Sequence, residues 1–272
     1  MIMNDKKIYM GMYGRMGNNL FQAATAYAMS LEYNCDFYMT PDYSQYAPEP
    51  DCCGFKTYLE KYKNSIYRKL KYSDFIGKPI TYQEPEFKYN KIPFINNMHI
   101  NGYFQSDKYF NNYKNEVFDL FKIDENTDIE IKEKYSSILS NETVSINVRH
   151  GIDYRRLNNL FNVLPIEYYN KCIEYFGKNK IFIITSDDVE WCKENFKNDN
   201  CYIVDQDNPL VDLYIQTLCE NNIISCSSFS WWGAWLNKNE DKKVIIPTPW
   251  FGSGFNHDTR DIYPENWLKQ NI

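Results

Sequence analysis

The chain has 272 residues, 43% of them apolar, which supports a real core in one large or two modest α/β domains. Thirty Lys and Arg against 36 Asp and Glu leave a formal net charge of −6, and this excludes the broad basic face of a nucleic-acid binder. No run approaches the roughly 20 apolar residues of a membrane span, and MIMNDKKIYMGM at the start lacks the apolar core of a secretion signal, so a cytoplasmic location is expected.

In chain order, the apolar run 8–12 predicts a first strand and the alanine-rich 19–33 a helix, with GRMGNNLFQ (14–22) between them. Strand, glycine turn and helix is the layout that aims backbone N–H groups and a helix N-terminus at an anion. Residues 41–97, dotted with Pro, Tyr and Lys, read as loops and short helices. Short β-branched runs follow at 143–149, 180–186, 201–205, 222–225 and 243–247. They alternate with helical segments at 165–177, 188–197, 209–220 and 230–239. That rhythm predicts a parallel α/β sheet, in which ligands sit beyond the carboxyl ends of the strands.

Three polar turns occupy those ends: NVRHGIDYR (147–155), SDD (186–188) and SCSSFSWW (225–232). Guanidinium and hydroxyl groups facing one crevice would suit a nucleotide diphosphate, and a carboxylate could accept the N–H groups of guanine. Each turn also has a plainer reading: a surface ion pair, a helix cap, and a cap followed by core aromatics. The eight cysteines (35, 52, 53, 172, 192, 201, 219, 226) show no Cys-x-x-Cys pair and read as small buried hydrophobes. Three histidines argue against an imidazole metal site. DQD (205–207) matches the Asp-x-Asp pattern that binds manganese in many transferases, a triplet expected by chance among 36 acidic residues.

GRMGNNLFQ, NGYFQSDKYF (101–110), VSINVRHGIDY (144–154), IFIITSDDVEWCKENF (181–196), NNIISCSSFSWWGAWLN (221–237) and DIYPENW (261–267) together resemble the α-1,2-fucosyltransferases of glycosyltransferase family 11. The resemblance implies a GT-B-type α/β fold with two Rossmann-like domains: 1–135 on the acceptor side, 136–250 for the donor, and 251–272 returning to the first. It implies GDP-β-L-fucose as donor, a galactoside-containing glycan as acceptor, inversion at the fucose C1, and no metal or other cofactor. Peripheral association with a membrane where glycans are assembled is a further implied partner.

By that resemblance, Arg15 and Asn18 reach the donor's β-phosphate and glycosidic oxygen across the interdomain cleft. Arg149 clamps the pyrophosphate, Asp187 reads guanine, and Ser227 and Ser228 hold phosphates beside Phe229. The chain departs from the family's His-x-Arg-Arg-x-Asp motif at three points: Asn147 replaces the histidine, His150 replaces the second arginine, and Ile152 displaces Asp153 by one position. Asn147 and His150 remain expected donor contacts, the latter dependent on protonation. Asn19 stands where glutamine is usual. Asp153 is the expected general base, with an N-cap or ion-pair role as the alternative.

Overall fold

The computed structural model describes residues 5–41, 55–73 and 80–272, with backbone only at 55–58. Cys52 and Cys53 lie outside the described residues, as does much of the expected loop-and-helix stretch 41–97. The chain divides into two compact units, Met1–Glu125 with Asp258–Ile262, and Asn126–His257 with Tyr263–Ile272.

In the first unit, β1 (Lys7–Met12) leads into α1 (Met16–Tyr33), followed by β2 (Asp36–Pro41), α2 (Phe55–Tyr62), β3 (Thr81–Gln83), β4 (His99–Asn101), α3 (Lys114–Leu120) and the start of α4 (Glu125–Lys134). The strands form a parallel sheet in the order β2-β1-β4-β3. Ile8, Met10 and Met12 of β1 are fully buried, as are Leu20, Phe21, Ala23, Ala24 and Ala26 of α1. Small residues let α1 lie close on the sheet. The helix ends where Asn34 turns left-handed (φ 48) and its N–H returns to the Ser30 carbonyl.

The second unit contains α5 (Ser136–Leu139), β5 (Thr143–Val148), α6 (Ile152–Arg156), α7 (Ile166–Phe176), β6 (Ile181–Ser186), α8 (Val189–Asn195), β7 (Cys201–Ile203), α9 (Pro209–Leu218), β8 (Asn221–Ile223), α10 (Ser228–Trp235), β9 (Val244–Thr248) and β10 (Leu268–Asn271). Its six strands are parallel in the order β10-β9-β8-β5-β6-β7. Every residue of β5 is buried, as expected of a central strand covered by helices on both faces. The core joins Val144, Ile146 and Val148 to Tyr168, Tyr169, Phe182, Ile184 and Ile223.

Two domain expectations need correction. The unit boundary falls at 125/126 rather than 135/136, because α4 is tied to its own half: the Tyr214 hydroxyl donates to Asp128. The C-terminal segment rejoins the first unit only over Asp258–Ile262, where Asp261 accepts from Lys108 Nζ (2.6 Å) and the Tyr89 N–H (2.9 Å). Strand β10 then pairs with β9, its backbone completing the edge of the second sheet. The described cysteines 35, 172, 192, 201, 219 and 226 carry free thiols, all but Cys201 buried. Among the described residues, no helix is long and apolar enough to cross a membrane.

Candidate active site

Each sheet has one place where the chain reverses its direction of winding, and there the loops leaving two neighbouring strands part to leave a crevice. In the first unit that place lies between β1 and β4; in the second it lies between β5 and β8. GRMGNNLFQ, NGYFQSDKYF, NVRHGIDYR and SCSSFSWW leave these four strands, while SDD leaves the neighbouring β6.

In the first unit, Gly14 adopts φ 82, and a Cβ there would lie 2.4 Å from the Asn18 amide nitrogen. Glycine is required on both counts. Gln105, in the loop after β4, donates from Nε2 to Asn18 Oδ1 (2.8 Å). Asn19 donates to the Tyr13 carbonyl (2.9 Å) and accepts from the Tyr67 hydroxyl (3.2 Å). Gln22 accepts the Tyr13 N–H (3.2 Å) and donates to the Gly102 carbonyl (3.1 Å). The amides of GRMGNNLFQ thus knit the two loops together. Arg15, at the helix start, is exposed rather than on the buried side of the turn.

Glu84, for which the sequence carried no signal, braces the second loop by accepting the N–H groups of Tyr103 (2.7 Å) and Phe104 (3.1 Å). Phe104 sits at φ 52, a conformation costly for a bulky residue. Its fully buried ring compensates. Burial raises the Glu84 carboxyl's pKa, and the two N–H donors oppose that rise.

In the second unit, Arg149 leaves the end of β5 with its guanidinium paired to both Asp153 and Asp187. Asp187 also accepts the backbone N–H groups of His150 (2.8 Å) and Gly151 (3.1 Å). With three donors on its carboxylate, Asp187 shapes the arginine turn. Asp153 is likewise paired with Arg149, the ion-pair arrangement named as the alternative to a general base.

His150 stacks on Trp191 (4.5 Å, 22°) and its Nδ1 meets Asp188 Oδ2 at 2.8 Å, so its ring is occupied within the unit. Asp188 caps α8 through the Trp191 N–H (3.1 Å). Burial alone would raise the Asp188 pKa, but the bonds from His150 and the Trp191 N–H, with the charges of His150 and Arg155, hold it below the usual value.

Asn147 was also expected at the donor. It is buried inside the sheet, donating to Thr185 Oγ1 (3.0 Å) and accepting from Ser225 Oγ (3.1 Å). In a central parallel strand both faces are covered, so its amide laces β5 to its neighbours. Ser227 caps α10, its Oγ accepting the Phe229 N–H (3.3 Å), while Ser230 Oγ donates to the Ser227 carbonyl (2.9 Å). Ser228 and Phe229 are half-buried in the first turn of α10. The N-terminus of this eight-residue helix therefore lies at the same end of the sheet as Arg149, with the character of an anion site.

The DQD segment is committed elsewhere. Asp205 pairs with Lys193 (2.8 Å), and Gln206 donates to Asp212 (2.5 Å). Among the described residues, no group of three or more His, Cys, Asp or Glu side chains is placed to hold a metal ion. Burial, with the nearby charge of Asp207, pushes the Asp212 carboxyl to about 7. Between the unfolded pKa of about 4 and this value, the folded chain keeps a proton the unfolded chain has lost, so stability falls as pH rises through the window. Asp212→Asn should flatten this part of the profile and exceed wild type by about 2 kcal/mol at pH 8, allowing for solvent access. Urea melts of both proteins at pH 4.5 and pH 8 decide this; parallel profiles would refute it.

Two parallel Rossmann-like units, each gathering polar groups at its switch point, define a fold of GT-B type. The chain belongs to glycosyl transferase family 11, whose sequence pattern is matched by residues 6–271, and is a glycosyltransferase. The Escherichia coli O-antigen biosynthesis glycosyltransferase WbnK is 31% identical over 220 residues, 75% of this chain and 70% of that protein. The Escherichia coli alpha-1,2-colitosyltransferase is 26% identical over 291 residues, 94% of this chain and 96% of that one. Among solved structures, the fucosyltransferase NodZ from Bradyrhizobium matches with a TM-score of 0.51 at 13% identity, covering 84% of this chain and 92% of that chain, a likeness of fold.

Proposed function

We propose that the protein transfers L-fucose from GDP-β-L-fucose to a galactose O2 of a glycan acceptor, with inversion and without a metal. The observation that carries the donor half is the meeting of the Arg149 turn with the α10 N-terminus at the β5/β8 switch point. As the C1–O bond of the donor breaks, negative charge grows on the β-phosphate. A guanidinium and a helix N-terminus stabilise that charge more than the ground state, and this lowers the barrier. Asn147 and Asp187 hold these groups in place, and the assignment of Arg15 to the donor rests on the family resemblance. The acceptor half rests on family membership, with Asp153 as its general base.

A second reading has its own support: one relative is named for colitose, which is fucose without its 3-hydroxyl. A panel of GDP-fucose, GDP-colitose, GDP-mannose and UDP-galactose against galactose-terminated glycans, read by nucleotide release, separates the readings. Turnover with GDP-fucose above the others supports the first, GDP-colitose above GDP-fucose the second, and UDP-galactose above all would refute both. Metal independence is a separate expectation: EDTA should leave the initial rate essentially intact, and loss restored by manganese would overturn the cationic account.

A further inference from the structure

We propose that Tyr154 is a positioning residue for Arg149, fastening the arginine turn after β5 to the serine turn after β8. The proposal rests on the reading of Arg149 as the pyrophosphate cation. The Arg149 guanidinium carbon lies 4.3 Å from the centroid of the Tyr154 ring. Its two terminal nitrogens go to Asp187 and Asp153. The cation is thus held by carboxylates at its edge and by an aromatic ring against its face, the arrangement that suits a planar guanidinium and not an ammonium.

The opposite end of the same tyrosine reaches across the switch point. Its hydroxyl donates to the Cys226 carbonyl (3.1 Å), one residue before the cap of α10. Burial pushes that hydroxyl's pKa to about 12, so it remains a donor at working pH. Phe161 stacks on the Tyr154 ring (4.7 Å, 18°), and Phe161 in turn packs against Phe251 after β9 (6.1 Å). A flexible arginine would otherwise lose side-chain freedom when a ligand arrives; the ring fixes it beforehand. The carboxylates of Asp153 and Asp187 cannot replace this service, because an entering phosphate competes with them for the same N–H groups.

The test is a double-mutant cycle read by calorimetric titration with GDP, on variants checked for wild-type circular dichroism. Tyr154→Met should weaken GDP at least tenfold, because it fills similar volume without a π face. Tyr154→Phe, which keeps the ring and loses the hydroxyl bond, should stay within about threefold of wild type. The double variant Tyr154→Met, Arg149→Ala should bind no more weakly than Arg149→Ala, since Tyr154 acts through Arg149. Unchanged affinity in Tyr154→Met, or additive losses in the double variant, would overturn the proposal while leaving the donor reading standing. Unchanged affinity in Arg149→Ala would sink the donor reading and this proposal together.

Should Tyr154→Met not fold, protein labelled with 3-fluorotyrosine gives a second test. The resonance that disappears in Tyr154→Phe should shift on adding GDP to wild type and stay fixed in Arg149→Ala. A resonance that never moves, or moves in both, would count against the coupling.

Discussion

Replacing Arg149 with alanine should lower kcat/KM by a hundredfold or more, about 3 kcal/mol of transition-state stabilisation. The guanidinium is the cation held at the β5/β8 switch point, and the charge that grows on departing GDP is what it would meet. Arg149→Lys should recover little of this loss. An ammonium keeps the charge but cannot bond Asp153 and Asp187 through two edges while lying on Tyr154. The geometry adds a cost in stability: alanine leaves Asp153 and Asp187 without their shared counter-charge, so the variant should also melt at a lower temperature. Rates must therefore be compared well below both melting points. A folded Arg149→Ala enzyme with near wild-type turnover would refute the assignment. Arg15→Ala should reduce turnover, and its exposed position predicts little change in melting temperature.

Asp187→Asn should be the most damaging conservative substitution in the second unit, costing about 2–3 kcal/mol of stability together with most of the activity. The carboxylate accepts from the backbone N–H groups of His150 and Gly151 and pairs with Arg149. Asparagine keeps one acceptor oxygen but turns an NH₂ toward at least one of these donors, leaving it unpaired. The arginine turn should then loosen, and Arg149 with it. Thermal melts and GDP titration of the variant check both parts. A variant as stable as wild type but unable to tell GDP from UDP would favour the guanine contact expected from sequence over the turn-shaping role.

Much of this enzyme was legible beforehand, for identifiable reasons. Strands β5, β6 and β9 are runs of buried β-branched residues, and helices α7 and α9 follow apolar spacing, so local pattern suffices to find them. Strands β2, β3, β4 and β10 were missed because sequences such as HIN and LKQN carry no apolar alternation; their pairing partners make them strands. The candidate residues lie in turns at the ends of strands, but their neighbours in space were not readable. Asn147 and Asp187 read as ligands in a linear motif, and only the fold shows that they also brace their surroundings, through Ser225, Thr185 and the 150–151 backbone.

The sequence by itself determined the alternation of strands and helices, the glycine at position 14 and the family, because these depend on local sterics and residue order. Strand order belonged to the tertiary structure alone. That β8 pairs with β5, and β4 with β1, depends on which apolar faces bury best together across more than 70 residues of chain. Those two pairings create the switch points. They bring Tyr154 within bonding distance of Cys226, and Gln105 within bonding distance of Asn18, contacts that no local pattern encodes.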